Sequence, residues 1–439
     1  MSTLHQQSFL FNSKLTVSNT GGTLSSDGGI LLVREFLDQI DFDQLLQQQL
    51  NFHDDRKYCT YEQVQLFKQL LFQLIAGYQQ DSAADTLNKD AIFHLSLDQL
   101  VASQPTLSRF INRVKEENLQ SVHQLIEQLG EFLIIQRNLR QLVIDIDSTH
   151  SDTFGRQEKT DYNAHYQTNG YHPLLAFEQN SGVLLGAALR PGNFYTSNGA
   201  EEFLAPILQR YHEKECDMIV RGDSGFAKPE IYQLCEHYQT KFVVRLKSNS
   251  KLKTIAEHQI LYSDKTDFTK EEIQWFSIDN YQPKTWDRPY RVIIKSTRAA
   301  GEFLFRHEFI VTNLTELFPK QLFPMYQNRG AMEGHIKEIK NGFFFDKTDS
   351  SSFTGNAFRM LLSGVAYNII QNMKMRVFPE KQQASTISTI RFQLFHIAAR
   401  VVSHARMISV QLSSTNVFDA FFWEVLRRIH SLKLYSETG

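Results

Sequence analysis

The sequence lacks the features that mark secreted, membrane-spanning and zinc-binding proteins. Its 439 residues include only three cysteines, and none of them stands in a CxxC pair. That spacing argues against a disulfide framework and against a zinc site, and it suits a reducing cytosol. No run approaches the roughly 18 apolar residues that a membrane span needs, and the N-terminal MSTLHQQSFLFNSKL lacks the basic-then-apolar pattern of a signal peptide. We therefore expect a cytoplasmic protein with no membrane partner.

The chain also lacks a strong net charge. The formal charge is -2, and 42% hydrophobic with 21% charged residues is the composition of an ordinary globular protein. The charge is unevenly distributed, however, because the sequence from Lys320 onward holds 15 Lys and Arg against 8 Asp and Glu. A basic region on a nearly neutral chain points weakly to an anionic partner.

The chain is too long for one compact core, and its patterning changes along its length. Apolar residues recur at helical spacing in the first part, strands and helices alternate after Arg140, and no helical pattern is found between about 250 and 320. This alternation indicates an α/β protein. We predict five segments: a helical region at 1–139, an α/β part at 140–250, a β-rich insertion at 251–322, a return of helices at 323–378, and a helical region at 379–439.

One short helix of the first segment has a composition suited to DNA. In SQPTLSRFINRV, Ser103 can cap the helix, Pro105 suits its first turn, and Arg109 would lie on its surface. A helix after a tight turn that carries Arg and hydroxyl side chains can read DNA. A capped packing helix explains the same residues equally well.

The first candidate acid lies on a strand. In VIDIDSTH, side chains alternate between the two faces, so Asp145 and Asp147 point to the same side. A carboxylate in an apolar strand is costly to bury without compensation. A metal ion would compensate the charge, and so would hydrogen bonds from Ser148 and Thr149 at a capped strand end.

The second candidate acid follows another strand. MIVRGDSGF places Asp223 where an apolar run opens into a loop, and sites of open α/β sheets form at the carboxyl ends of strands. An ordinary Asp-Ser-Gly turn is the competing interpretation.

The third candidate acid lies in YQNRGAMEGHIKEIK. If this stretch is one helix, at about 100° per residue, Tyr326, Arg329, Glu333 and Lys340 fall within about 60° of one another. Glu338 falls at about 180°, on the opposite side. A surface ion pair between Arg329 and Glu333 would also fit this spacing.

Together, the three acids make a set of hard oxygen ligands suited to Mg²⁺ or Mn²⁺. Two such ions can activate an attacking oxygen and stabilise a leaving oxygen in phosphoryl transfer. The neighbouring Arg and Lys could hold phosphates.

In this order and spacing, the motifs resemble those of DDE transposases of bacterial insertion sequences. Tyr326, Arg329, Glu333 and Lys340 match the Tyr-two-Arg-three-Glu-six-Lys signature around the third acid. IDSTH resembles the first-acid motif and RGDSGF the second. GYHPLLAF and SQPTLSRF look like the subgroup catalogued as DDE group 1, and the resemblance covers most of the chain.

The resemblance implies an RNase H-like catalytic core, formed by residues 140–250 and 323–378 and interrupted by the β-rich insertion. It implies a DNA-binding or dimerisation role for the N-terminal region. The implied activity is cut-and-paste transposition, in which water attacks the phosphodiester at the transposon end and the freed 3′-hydroxyl attacks target DNA. This branch often frees the other strand through a hairpin.

The resemblance also implies partners and site residues. Asp147, Asp223 and Glu333 would ligate two Mg²⁺ ions, for which Mn²⁺ would substitute. The partners would be double-stranded DNA, as terminal inverted repeats and target, and a second copy of the chain in the synaptic complex. The protein would act at the bacterial nucleoid. Further DNA contacts are expected from Tyr326, Arg329, Lys340, Lys337, Arg109, Arg190 and Asn193, and Trp275 and Trp286 are candidates, by location only, for stacking on a flipped base.

Two alternatives stay open at this point. One is an RNase H-like nuclease that cuts without strand transfer, and the other is a transposase-derived DNA-binding protein that has lost catalysis. The complete Tyr-Arg-Glu-Lys signature favours a transposase over the first, and the presence of all three acids argues against the second.

Overall fold

The computed structural model describes residues 5–52, 56, 58–98, 100–263, 267–405 and 407–432. Helices and strands are mixed, as the sequence predicts. The chain divides into two compact units, one of Met1–Leu125, Gly342–Phe344 and Asn372–Gly439, the other of Ile126–Asn341 and Phe345–Gln371. Within the described ranges, no helix is long and apolar enough to cross a bilayer.

The described part of the chain opens with an exposed hairpin, within the segment predicted as helical, and continues into the predicted helices. Strands β1 and β2 pair antiparallel, and β3 follows them. The strands are β1 Gln6–Phe9, β2 Asn12–Ser18 and β3 Leu24–Ser25. The helices are α1 Leu31–Gln39, α2 Phe42–Gln49, α3 Gln63–Ala76, α4 Ala83–Leu87, α5 Ala91–Ser96, α6 Gln104–Asn112 and α7 Glu116–Gln136.

The central part of the chain supplies the main sheet. Its apolar strands are buried along most of their length, because helices and neighbouring strands cover them. The elements in chain order are β4 Gln141–Ser148, β5 Ser151–Asp152, β6 Asp161–Asn163, β7 Thr168–Tyr171, β8 Leu174–Glu178, β9 Leu184–Ala188, α8 Ala200–His212, β10 Asp217–Gly222, α9 Pro229–His237, β11 Lys241–Leu246, α10 Ser250–Gln259, β12 Glu272–Tyr281, β13 Tyr290–Arg298 and β14 Arg306–Thr312.

The main sheet has eight strands in the order β12-β13-β14-β11-β10-β4-β8-β9. Strand β10 runs parallel to both β4 and β11, whereas β4–β8, β8–β9 and β11–β14 are antiparallel pairs. Strands β12 to β14, from the segment predicted as an insertion, therefore extend this sheet at one edge and do not form a sheet of their own. Strands β5, β7 and β6 form a separate small sheet.

The remaining elements are helices and one hairpin. Helix α11 packs on the main sheet through Leu322 and Phe323, which are buried against Val243, Ile293 and Ile310. The helices are α11 Pro319–Gln327, α12 Gly330–Phe343, α13 Phe353–Val377, α14 Glu380–Gln383, α15 Ile387–Ile390 and α16 Asp419–His430. The hairpin is β15 Ala399–His404 with β16 Met407–Leu412, and β15 also pairs with β3.

Two predictions of secondary structure are wrong. The segment from 250 to 320 was expected to hold no helix, but α10 begins at Ser250, where the Asn249 side chain accepts a hydrogen bond from the amide of Leu252. That capping bond is the local signal for a helix start. The C-terminal region was expected to be helical, but ARVVSH and MISVQL form the β15–β16 hairpin. Their β-branched residues favour strands, and pairing with the distant β3 is a contact that local periodicity does not reveal.

Helix α7 contains a histidine whose burial makes stability depend on pH. Burial lowers the pKa of His123 to about 4, from a usual value of 6.5. Because the folded state keeps this ring neutral while the unfolded state takes up a proton, stability is complete above pH 6.5 and is lost as pH falls toward 4. The free energy of unfolding of the unmodified chain should fall between pH 7 and pH 4.5. We expect this fall to be about 2 kcal/mol smaller in the His123→Gln variant, which lacks the titrating ring.

The measurement is urea denaturation at both pH values. His258→Gln, at an exposed position of α10, is the matched control and should keep the full pH dependence. An equal acid loss in the His123→Gln variant would contradict the assignment.

Candidate active site at the carboxyl ends of strands β4 and β10

Two adjacent parallel strands bring the first two candidate acids together. In the register of β4 and β10, Asp145 pairs with Arg221. Asp147 lies two residues further along β4, and Asp223 directly follows β10 with an extended backbone, so both side chains fall on the same side as this pair. The carboxyl edge of the sheet therefore carries two neighbouring carboxylates.

The inner pair is a buried and complete ion pair. Arg221 donates from Nε to Asp145 at 2.7 Å and from Nη2 to the second carboxylate oxygen at 2.6 Å. Its remaining Nη1 donates to the carbonyl of Met325 at 2.6 Å. Burial raises the pKa of Asp145, and the Arg221 guanidinium opposes that rise. Both carboxylate oxygens of Asp145 thus bind Arg221. Asp147 is therefore the aspartate of β4 that lies at the carboxyl end of the strand.

The outer acid of β4 is compensated by a second arginine. Arg329 Nη2 lies 2.7 Å from the Asp147 carboxylate and donates to the carbonyl of Ile146 at 3.1 Å. The amide of Ser148 donates to the other oxygen at 2.8 Å. Burial raises the pKa of Asp147, Arg329 lowers it, and the negative charge of Asp223 raises it again.

Asp223 caps the turn that follows β10. Its carboxylate accepts a hydrogen bond from the amide of Gly225 at 2.8 Å, and its backbone stays extended. Position 225 favours glycine, because a Cβ atom there would lie 2.7 Å from the Thr196 side chain and clash with it. Both sequence interpretations of this motif are therefore compatible: the turn is present, and it holds Asp223 next to Asp147.

The third candidate acid lies on the helix that carries the basic residues. Glu333 is in the first turn of α12 and is exposed. In the described part of the chain, no three acidic, histidine or cysteine side chains lie close enough together to hold a metal ion. Asp147 and Asp223 are close enough for their charges to interact, whereas Glu333 does not form a three-ligand cluster with them.

The prediction of one continuous helix from Tyr326 to Lys340 is wrong. Helix α11 ends at Gln327 and α12 begins at Gly330. The amide of Arg329 bonds to the carbonyl of Tyr326 at 3.0 Å, three residues back. A continuous helix would use the Met325 carbonyl, four residues back; in this structure that carbonyl accepts a hydrogen bond from Arg221.

Helix α12 is fixed to its surroundings on several sides. Met332 and Ile339 are fully buried, and the ring of His335 stacks on Phe177 with a centroid separation of 5.5 Å. Tyr367 of α13 contacts His335 Nδ1 at 3.1 Å. This packing fixes α12, which carries the exposed Glu333 in its first turn.

Lys340 approaches the loop that follows β4. Its ammonium donates to the carbonyl of His150 at 2.8 Å and lies 3.4 Å from the Asp346 carboxylate. Lys337, on the same helix, is exposed. Both Arg329 and Lys340 thus bind oxygen atoms of the protein itself.

Tyr326 lies on the β10–β11 side of the site. Burial raises the pKa of its hydroxyl, which Arg329 and Arg245 lower and Asp223 raises again. Arg245, near the end of β11, was missed by the sequence analysis. Its signal is its place at the carboxyl end of the strand next to β10, as for Asp223.

An aromatic group beside the first acid was also missed. The exposed ring of Tyr166, in the turn between β6 and β7, stacks on His150 at 4.7 Å and 25°. Partial burial of its hydroxyl side raises the pKa of Tyr166, and the carboxylates of Asp147 and Asp223 add to the rise. The crowding of Tyr and His in YNAHYQTNGYHP was the available signal.

The comparison with known families decides the identity. The sequence model described as "Transposase DDE domain group 1" matches residues 7–434. This chain belongs to that family of DDE transposases. No curated protein sequence is similar to it.

Among solved structures, the chain is similar to a piggyBac transposase in a synaptic complex with hairpin DNA. The identity is 11%, the TM-score is 0.45, and the alignment covers 84% of this chain and 80% of that one. Mos1 transposase in a paired-end complex with its left transposon end aligns at 10% identity and a TM-score of 0.17, over 46% of this chain and 64% of that one. These TM-scores are too low to add to the assignment, which rests on the family model.

Two residues proposed from the sequence as DNA contacts of the transposase are held by the protein. Arg190 is buried and donates to the carbonyls of His172, Thr196 and Asn198, at 2.9, 3.0 and 2.6 Å. Burial lowers its pKa to about 10. Asn193 is exposed and donates to the Asp161 carboxylate at 2.6 Å. Both shape the loop after β9, and their contact with DNA stays a prediction.

The remaining residues expected to contact DNA, which are Arg109 and the two tryptophans, differ in exposure. Arg109 is exposed on α6. Trp286 is buried, with its ring centroid 5.4 Å from that of Tyr232. Trp275 is half-buried and lies edge-on to Phe323 at 5.1 Å. Packing explains the positions of both tryptophans, and their role with a flipped base stays a prediction.

The two ion pairs of β4 differ in burial, so they predict different stabilities. The side chains of Arg221 and Asp145 are 1% and 2% exposed, whereas those of Arg329 and Asp147 are 11% and 19% exposed. Asp145→Asn leaves a buried arginine without its charge partner and should cost about 3 kcal/mol or more. Asp147→Asn also removes repulsion with Asp223, so its effect should stay within about 1 kcal/mol.

Urea denaturation of the two variants checks this difference. Each replacement keeps the shape of the side chain, so the variants serve as controls for each other. Equal losses in the free energy of unfolding would mean that Asp147 contributes as much to stability as Asp145.

Proposed function

We propose that this chain is a cut-and-paste transposase, which cleaves DNA at transposon ends and transfers the freed strand into target DNA. In this proposal the main sheet from β4 to β11 is the RNase H-like core, and Asp147, Asp223 and Glu333 are its three acids. The observation that carries it is the pair of carboxylates at the ends of adjacent parallel strands, within a chain of the DDE family.

The donor set fits divalent metal ions in part. Asp147 and Asp223 are neighbouring hard oxygen ligands, which Mg²⁺ and Mn²⁺ prefer. Their mutual repulsion is offset by one guanidinium, that of Arg329. Glu333 would complete the set after a shift of α12 or of its own side chain. When bound, such ions activate the attacking oxygen and stabilise the leaving oxygen of a phosphodiester.

The residues of the chain would bind and orient the DNA. Arg329 and Lys340 are held on protein oxygens and would exchange these for phosphate oxygens of similar geometry. Tyr326 keeps its proton at neutral pH, as any tyrosine with an ordinary pKa of about 10 does, and burial raises its pKa further, so its hydroxyl can donate to a phosphate. Cutting both ends in one complex calls for two active sites, and for this reason we propose a homodimer with DNA.

The test is cleavage of a linear duplex that carries the inverted repeats flanking the gene, with Mg²⁺ in the buffer. We expect strand cleavage at the repeat ends and joining to a target plasmid. Asp147→Asn, Asp223→Asn and Glu333→Gln should each abolish both products, because a two-metal site needs every ligand.

The matched control for the third acid is Glu338→Gln on the same helix, which should keep activity. Cleavage without joining would indicate a nuclease, and specific binding of the repeats without cleavage would indicate a DNA-binding protein. Undiminished cleavage by the three acid variants would contradict the catalytic assignment.

Arg329 and a metal ion should compete for Asp147. Because the guanidinium contacts the carboxylate directly, we expect Arg329→Gln to bind Mn²⁺ at least about tenfold more tightly than the unmodified chain when DNA is absent. Electron paramagnetic resonance of free Mn²⁺ measures this affinity without any reaction.

Lys337→Gln is the matched control, because it removes one positive charge at an exposed position of the neighbouring helix α12. It should change Mn²⁺ affinity only slightly, since exposed charges are screened. Equal gains from both variants would mean that overall charge, and not the Arg329 contact, limits metal binding.

A further inference from the structure

The buried pair of Asp145 and Arg221 lies directly behind the proposed metal ligands, and the proposed reaction does not use it. Asp145 stands two residues before Asp147 on β4, and Arg221 stands two residues before Asp223, which directly follows β10. The pair is almost completely enclosed. Burying two charges is expensive, and an apolar pair of similar volume would often stabilise a fold as well or better. Its presence at this edge therefore calls for a reason other than stability.

The third contact of Arg221 supplies that reason. A carbonyl at the end of a helix has no amide partner within the helix and needs another donor. Arg221 Nη1 donates to the Met325 carbonyl in the last turn of α11. A positive charge at this end is also favoured by the helix dipole.

This contact coincides with the break between α11 and α12. The Met325 carbonyl accepts from Arg221, and the amide of Arg329 bonds to the carbonyl of Tyr326, three residues back. The chain then leaves the path of α11, and the Arg329 side chain reaches Asp147 and the carbonyl of Ile146. Two arginines therefore connect the α11–α12 joint to the strands. Arg221 extends from β10 to the joint, and Arg329 extends from the joint to β4.

We infer that Asp145 and Arg221 are positioning residues, which hold the α11–α12 joint so that Tyr326, Arg329 and Glu333 face the two strand acids. Asp145 orients the guanidinium of Arg221 by accepting two hydrogen bonds from it. The oriented guanidinium then holds the Met325 carbonyl in place. The inference deepens the proposed function and rests on it for its catalytic consequence. The joint itself can be tested without catalysis.

The experiment uses the double variant Asp145→Leu with Arg221→Met. Replacing both charges by apolar side chains removes the contact with Met325 without leaving a lone buried charge. The matched control is Glu127→Leu with Arg210→Met, a partly buried ion pair between α7 and α8. Thermal unfolding of both variants shows whether each is folded.

The first measurement is hydrogen exchange at the amides of residues 328–332. A pair that only stabilised the fold would not change exchange at these amides specifically. We expect exchange at Arg329 to change by at least about tenfold in the Asp145–Arg221 double variant. Exchange becomes faster if the joint frays and slower if α11 and α12 merge, and both outcomes support the inference. Exchange like that of the control would overturn it.

The second readout is the cleavage rate at saturating DNA with the flanking repeats, which should fall at least about tenfold. Activity like that of the control, with unchanged exchange, would make the pair purely structural. If the unmodified chain cleaves no DNA, the proposed function fails, but the exchange result still decides whether the pair holds the joint.

Arg221→Lys covers the case in which the double variant does not fold. Lysine keeps the charge beside Asp145 but lacks the rigid fork that binds a carboxylate and a carbonyl together. We expect the change in exchange at Arg329 to persist. Exchange and cleavage both equal to those of the unmodified chain would show that charge alone suffices and would overturn the positioning role.

Discussion

Two carboxylates at the ends of adjacent parallel strands need a positive charge between them, and much of the site follows from this constraint. Burial and the negative charge of Asp223 both disfavour the ionised form of Asp147. In this structure the charge comes from Arg329, which reaches across from the α11–α12 joint. The same need for positive charge is what would make the edge attractive to divalent ions.

The elements around the acids can be understood as supports for that arrangement. Strands β4 and β10 set the spacing, the Asp145–Arg221 pair secures them to the end of α11, and the packing of His335 on Phe177 holds α12 nearby. Arg329 and Lys340 bind the protein's own oxygens at positions where phosphates would be held. Arg329 and Lys340 therefore already have partners within the protein, and binding DNA would mean exchanging these partners.

The sequence alone predicted the strands of the two aspartates, because apolar runs that end in Asp have a strong local pattern. It did not resolve Asp145 from Asp147, since both lie on one face and only the contact with Arg221 separates them. It also missed the break after Gln327, because no local signal announces that a side chain 104 residues earlier takes the Met325 carbonyl. Arg245 and Tyr166 were missed for a related reason. Their approach to the site follows from strand order and loop packing, not from spacing along the chain. The β15–β16 hairpin likewise depends on a distant partner, β3.

The central claim is that Asp147, Asp223 and Glu333 form one cation site. The most direct measurement is the anomalous scattering of Mn²⁺ in crystals of the chain bound to a DNA duplex with its flanking repeats. The account predicts Mn²⁺ coordinated by all three carboxylates, with Arg329 moved from Asp147 to a phosphate. Mn²⁺ bound away from these acids, with Arg329 still paired to Asp147 beside the DNA, would contradict it.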